Sequence, residues 1–358
     1  MNKRNEIGGG YWISQKQIES SFIHQRAGKG VCFISDDEQH LSTCRSGLSY
    51  IADLYDRRVI IVPYFTCSTV IDPFLEKGWK VIPYSIDSHL LVNWEQLRLN
   101  IIAESPSLIL FHSYFGFPTV NNNLECINWI KAQGIDIIND VTCSILSTFD
   151  RIYSDFCVGS IRKWFPIPDG ALLQGTRIAG LSRYNQELLD AKVDAFITKW
   201  EYLEGADVEK TKMLQKFSRA THIIDSASEV FIMSPLSKAL LTKENVDDAK
   251  RIRRMNYNRL FQLISNINRI ILPFPEADEN VIPYFLPIIV QDRNILQKYL
   301  ADNGVYATVL WTKPENFAHL IDHNLIYEKI LCFPINQCYD ISDMERIGCL
   351  LNKYFKEK

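Results

Sequence analysis

Between Arg45 and about Gly175, short β-rich apolar runs alternate with longer stretches of helical spacing, and no other feature of the sequence constrains the fold as strongly. Strands joined by crossover helices give that texture, and crossovers bring successive strands into a parallel sheet. The strand candidates are residues 59–63, 80–84, 107–112, 135–139, 155–158 and 171–174. A continuous run such as Ser107-Leu108-Ile109-Leu110-Phe111 suits a strand covered on both faces. In open sheets of this kind ligands bind beyond the carboxyl ends of the strands, so the residues that follow each run are those to inspect.

Beyond Gly175 the texture changes. Long helical segments are expected at about 180–204 and 243–265, the second carrying Lys250, Arg251, Arg253 and Arg254, which read together as a solvated helix face. After Pro273 and Pro275, residues 282–290, 293–303, 306–310 and 342–353 read as strand, helix, strand, helix. A chain of 358 residues exceeds what one hydrophobic core usually serves. The expected organisation is therefore a large domain over residues 1–235 and a smaller α+β domain over 236–358, divided near Ser234-Pro235.

Charge and composition exclude several classes. With 42 acidic against 39 basic side chains and a pI near 6.2, there is no basic excess to wrap a nucleic-acid backbone. Lys3 and Arg4 are followed by Glu6 and glycines rather than by the apolar core of a signal peptide. The apolar stretch at 101–117 is broken by Glu104, Ser105, Pro106, His112 and Gly116, which removes the best candidate for a membrane span. Nine scattered cysteines, none spaced Cys-x-x-Cys, argue against a disulfide framework and a zinc ribbon, and a reduced cytoplasmic setting is expected. His319 and His323 have metal-ligand spacing but lack the accompanying Glu, so they read as a surface pair and no metal is expected.

Two residues at strand ends carry the chemical argument. Asp140 follows the apolar run 135–139, and Lys163 lies one strand later in Gly159-Ser160-Ile161-Arg162-Lys163. A pyridoxal phosphate enzyme needs that pair, a lysine to form the Schiff base with the aldehyde and a carboxylate to keep the pyridine nitrogen protonated. Ser160 is placed to offer the phosphate a hydroxyl. The bland alternative is that Asp140 caps a helix and Lys163 is a surface lysine. Thr43-Cys44-Arg45-Ser46-Gly47 opens a helical segment whose free N–H groups suit a phosphate, or Ser46 is an ordinary cap.

Taken in order, these segments resemble the DegT-type aminotransferases of sugar and surface-polysaccharide biosynthesis. The resemblance runs from Glu6-Ile7-Gly8-Gly9 through Cys44-Arg45-Ser46-Gly47-Leu48, Val62-Pro63-Tyr64-Phe65-Thr66-Cys67 and His112-Ser113-Tyr114-Phe115-Gly116-Phe117-Pro118. It continues through Asn139-Asp140-Val141-Thr142-Cys143-Ser144 and the segment from Ser160 to Gly170, and ends at Phe333-Pro334-Ile335-Asn336-Gln337. It implies an α/β protein of the aspartate aminotransferase-like fold (PLP fold type I), with Lys163 as the Schiff-base lysine and Asp140 as partner of the pyridine nitrogen. It further implies phosphate contacts from Ser46, Gly47 and Ser160, and Thr142 packed on one ring face. Cys67 stands where the family usually stacks an aromatic on the other face, a role that Tyr64, Phe65 or Tyr114 could take instead. Cys143 stands where the family usually has Gln or His near the phenolic oxygen, and a thiol is a weak donor. Asp169-Gly170-Ala171 replaces a Gly-Glu-Gly-Gly run. His112 either borders the site or is a hydrogen-bonded structural histidine, and Trp311 either lines the substrate pocket or is core.

The expected activity is transfer of an amino group from an amino acid such as glutamate to a keto-sugar, expected to be nucleotide-linked, by a cytoplasmic homodimer with pyridoxal 5'-phosphate as cofactor. The alternatives are a sugar dehydratase, against which Lys163 speaks because the related dehydratases carry histidine there, and a cofactor-free binding or regulatory relative.

Overall fold

The computed structural model describes residues 5–23, 31–120, 123–149, 153–227, 229–320 and 325–356. Lys3, Arg4 and His323, considered above, lie outside the described residues. Eleven strands are found among the described residues: β1 (Ile7–Gly8), β2 (Gln39–Leu41), β3 (Val59–Pro63), β4 (Lys80–Tyr84), β5 (Leu108–His112), β6 (Asp136–Asp140), β7 (Phe156–Gly159), β8 (Ala171–Gln174), β9 (Leu286–Ile289), β10 (Val305–Tyr306) and β11 (Ile330–Phe333). Seven form one sheet in the order β2-β8-β7-β6-β5-β3-β4, and β1 with β10 and β11 with β9 form two small ones. The pairings of β3 with β4 and β5, and of β5 with β6, are parallel, while β2 lies antiparallel on β8. The protein is thus α/β with a mostly parallel sheet, as its alternating texture predicts.

The chain divides into two compact units that interleave in sequence. One comprises Met1–Glu6, Gly10–Ile51 and Val158–Asn245. It holds the β2–β8 pair, the helix Cys44–Asp53 up to Ile51, and the helices Gln186–Leu203 and Lys210–Ser226, which pack through Leu188, Ala191, Ala220, Ile223 and Ile224. The second comprises Ile7–Gly9, Ala52–Cys157 and Val246–Lys358, and contains β3 to β6 with their crossover helices. The boundary expected near 235 lies inside the first unit, ahead of the helix Pro235–Leu241.

Local chemistry explains where the crossover helices begin and stop. Asn93 caps Trp94–Glu104 by accepting the Gln96 N–H at 3.0 Å, and the helix ends where Ser105 turns left-handed just before Pro106. Asn123 caps Leu124–Ala132 in the same way, and Gly134 supplies the positive φ that turns the chain into β6. Every residue of β5 is buried, as a strand covered on both faces requires.

Three elements escape the sequence pattern and two readings are corrected. β2 is three residues of mixed polarity, β11 is four residues directly after a short helix, and Lys210–Ser226 is mostly polar. The stretch expected as a strand at 306–310 forms only the two-residue β10. The basic cluster on Val246–Ile264 is not a uniformly solvated face, because Arg253 is buried among Ala249, Asn256, Tyr257 and Leu260 on the inner side. Its guanidinium donates to Gln337 Oε1 at 3.0 Å and to the Tyr284 carbonyl at 3.2 Å. Helical periodicity turns position 253 inward while Arg251 and Arg254 face out, so adjacency in sequence is a poor guide to shared exposure.

Candidate active site

In the second unit the parallel register builds a chain of buried polar groups across three neighbouring strands. β5 and β6 pair with His112 opposite Asp140, so their last side chains stand next to one another. His112 Nδ1 lies 3.3 Å from Asp140 Oδ2. β3 flanks β5 on the other side, and three residues past its end Thr66 brings its Oγ1 to 2.8 Å from His112 Nε2. The Thr66 N–H in turn donates to Tyr327 Oη at 2.9 Å. The second Asp140 oxygen accepts the backbone N–H of Thr142 at 2.9 Å, a local turn of the kind aspartates make two residues ahead.

Asp140, His112, Thr66 and Thr142 are all at least nine-tenths buried. Burial by itself pushes the Asp140 carboxyl up, but hydrogen bonding to His112 and its charge, joined by the bonds from Thr142, more than cancel that and hold it below the ordinary aspartate value. The outcome is an ionised carboxylate in a dry setting. Each of its oxygens has lone-pair capacity left for one more donor, which fits the protonated ring nitrogen of a pyridine cofactor.

Aromatic rings close over this chain within the same unit. Trp311 lies 5.5 Å from His112 and 4.8 Å from Phe65 between ring centroids, and Tyr114 lies 5.6 Å from His112. Tyr114 donates its hydroxyl to the Phe65 carbonyl at 2.5 Å, and burial pushes its pKa well up, so it stays a neutral donor. Phe65 and Tyr114 are thus committed to the ring cluster, while Tyr64 stacks on Phe317 at 6.0 Å. Trp311 is core and at the same time the cover of His112. Cys67 caps the helix Ser68–Leu75 by position, with its thiol 3.1 Å from Thr69 Oγ1, and Cys143 is buried.

The residues expected at a phosphate lie in the first unit. Thr43, not Ser46, caps the helix Cys44–Asp53, its hydroxyl accepting the Ser46 N–H at 3.2 Å and lying 2.9 Å from Ser46 Oγ. A Cβ on Gly47 would meet Leu41, Val158 and Leu173 at 3.6–3.7 Å, ordinary contact, so this glycine packs on the sheet without being forced by it. Ser160 is buried at the head of the 3-10 turn Ile161–Lys163 and its hydroxyl does not cap that turn. Lys163 is half-buried, and among the described residues its ammonium has no hydrogen-bond partner. A lysine held in place by its turn but with an uncommitted amine fits an aldehyde-bearing cofactor. Asp140 with Thr142 and Cys143 belong to one unit, and Lys163 with Ser46, Gly47 and Ser160 to the other.

The sequence left His112 undecided and did not single out Thr66. Both follow or end an apolar run, which is the available signal, but their partnership with Asp140 depends on strand order. All nine cysteines are free thiols, and no group of three metal-ligating side chains occurs among the described residues.

No protein-family model matches the chain, and no curated protein matches it. Solved structures do. An aminotransferase of pseudoaminic acid biosynthesis from Helicobacter pylori is 12% identical at a TM-score of 0.71, covering 99% of this chain and 100% of that one. A DegT DnrJ EryC1 StrS aminotransferase from Brucella abortus is 16% identical at 0.64, over 89% and 86% of the two chains. The E. coli GDP-4-keto-6-deoxy-D-mannose-3-dehydratase, with bound hydrated PLP, is 15% identical at 0.65, over 97% and 100%. What these similarities establish is the fold.

Proposed function

We propose, from the fold this chain shares with the DegT-type sugar aminotransferases, that it is a pyridoxal phosphate-dependent aminotransferase moving an amino group from an amino acid, expected to be glutamate, to a nucleotide-linked keto-sugar. The observation that carries the reading is the Asp140 carboxylate, buried yet held ionised by His112 and Thr142 at the carboxyl end of β6. A buried carboxylate held charged is what a protonated pyridine nitrogen requires, and a neutral acid would not serve.

When bound, pyridoxal phosphate supplies an aldehyde that captures an amine and a ring that takes up an electron pair. Lys163 would hold the cofactor through its amine and would act as the general base for the donor's α-carbon proton. Asp140 keeps the proton on the ring nitrogen, and His112 keeps Asp140 charged and oriented. Of the residues the family resemblance points to, Ser46, Gly47 and Ser160 would serve the phosphate, and Cys67, Thr142 and Cys143 would serve the ring. A dehydratase is the second reading, favoured by one such structure among those of shared fold, but the lysine at 163 speaks for amino transfer.

A homodimer in the cytoplasm, and a division into a cofactor-binding part at 1–235 and a smaller part at 236–358, belong to the same proposal. Among the described residues no helix is long and apolar enough to cross a membrane.

The decisive experiment is purification with added pyridoxal phosphate, borohydride trapping and peptide mass spectrometry, with Lys163→Ala as control. The expected result is a yellow protein bleached by glutamate, with the adduct on Lys163. A colourless protein without adduct would sink the enzyme reading and leave the cofactor-free relative, and an adduct that glutamate fails to bleach would count against amino transfer.

A further inference from the structure

Asp169 is a buried carboxylate, 1% exposed, that the reaction does not use. It sits at the hub of three segments of the first unit. Its oxygens accept the Ser234 N–H at 3.0 Å, the Ser234 hydroxyl at 2.6 Å and the Ser237 hydroxyl at 2.5 Å, while its own N–H donates to Ser237 Oγ at 3.1 Å. Ser234 is also the cap of the helix Pro235–Leu241, accepting the Ser237 N–H at 3.2 Å. The carboxylate is therefore pinned at both oxygen and nitrogen to the first turn of that helix.

The next residue carries the fixation onward. The Gly170 N–H donates to the Ser42 carbonyl at 2.8 Å, and the Gly170 carbonyl accepts the Arg162 N–H at 3.0 Å. Ser42 immediately precedes Thr43 and the hydroxyl-bearing turn, and Arg162 immediately precedes Lys163. Gly170 has φ +143°, and a Cβ there would stand 3.0 Å from Met233 Cε and 3.1 Å from Ile167 Cδ1, so its position between the two segments is tightly determined.

We propose that Asp169 is a positioning residue that sets the lysine turn and the Thr43–Ser46 turn in fixed register, by anchoring Gly170 to the capped start of the helix Pro235–Leu241. The inference rests on the assignment of Lys163 as the cofactor-binding lysine. Asp169 acts through Gly170, whose two backbone bonds are the only links it needs: one to Ser42 and one to Arg162. Loosening Asp169 leaves Lys163 present but displaces its amine relative to the hydroxyls that hold the phosphate, and preorganised sites tolerate little such displacement.

Asp169→Asn and Ser237→Ala are the variants, Ser237→Ala being the milder change should the first fail to fold. Two readouts are taken on folded protein with wild-type circular dichroism. The first is hydrogen exchange of the Arg162 amide without cofactor, expected to speed up about tenfold as its acceptor Gly170 loses its anchor. The second is the pH midpoint of the visible absorption band after loading with pyridoxal phosphate, expected to move by about half a pH unit or more as the surroundings of the Lys163 nitrogen change. A merely structural role lowers thermal stability but leaves that midpoint in place. Folded Ser237→Ala with unchanged Arg162 exchange and an unchanged midpoint would overturn the proposal. If wild-type protein forms no adduct on Lys163, the functional reading fails, while the exchange result still decides whether Asp169 fixes the turn.

Discussion

At the scale of single residues, the site is defined by how a charge is kept in a dry place. Asp140 would be a neutral acid if burial alone acted on it, and His112 is the first group that reverses this. Replacing His112 with Leu removes the hydrogen bond and the compensating charge and leaves the carboxyl with its burial cost. We expect a loss of about 2 kcal/mol of stability at pH 7, the usual worth of a hydrogen bond to a charged group. The sign of the pH dependence follows from the depressed pKa: the contribution is fully present above the unfolded-state value and disappears as pH falls through the folded one. The gap between wild type and His112→Leu should therefore narrow on acidification below about pH 4, where unfolded aspartate takes up its proton. Urea unfolding at pH 7 and at pH 3.5–4 checks this, and a gap that widened in acid would refute it.

At the scale of elements, two contrasts separate causes that the sequence runs together. Arg253 and Arg254 are neighbours, but the first is buried with its guanidinium on Gln337 and Tyr284, and the second is half-buried and reaches the Glu279 carbonyl at 2.8 Å in a solvent-exposed bond. Arg253→Ala should cost about 3 kcal/mol by leaving buried acceptors without donors, and Arg254→Ala about 0.5 kcal/mol or less. Chemical unfolding of both variants gives the answer. The second contrast concerns glycines. Gly116 and Gly134 both have positive φ, at +97° and +71°, but a Cβ on Gly116 would stand 2.2 Å from the Ile282 carbonyl oxygen, and one on Gly134 meets nothing within 4 Å. Gly134→Ala should cost only the left-handed penalty of about 1 kcal/mol. Gly116→Ala should cost clearly more, because the Phe115–Phe117 corner must move off the 282–283 backbone, and equal costs in thermal unfolding would show that the close approach is not there.

At the scale of the whole molecule, the fold has outlasted the sequence. Structures of the same fold are 12–16% identical to this chain, so most positions differ while the fold is shared. The physical reason is that a parallel sheet asks only for apolar runs of the right length and spacing, which many residue choices satisfy. The proposed homodimer belongs to this scale. Sedimentation of the purified protein should give about twice the 41.4 kDa of one chain, and a particle of one chain mass with full cofactor loading would refute the proposed homodimer.

The sequence by itself determined the α/β class, the six strands carrying the sheet from β3 to β8, the presence of crossover helices between them, and the strand ends near which Asp140 and Lys163 stand. Those follow from periodicity and turn chemistry, which act within a few residues. Only the tertiary structure decided which strands are neighbours, and with that the partnership of Asp140 with His112 and Thr66. It also decided that Arg253 points inward, that Thr43 rather than Ser46 caps its helix, and that Asp169 is anchored 65 residues away at Ser234. Such choices depend on contacts between segments far apart in the chain, whose register is fixed by packing rather than by any local pattern.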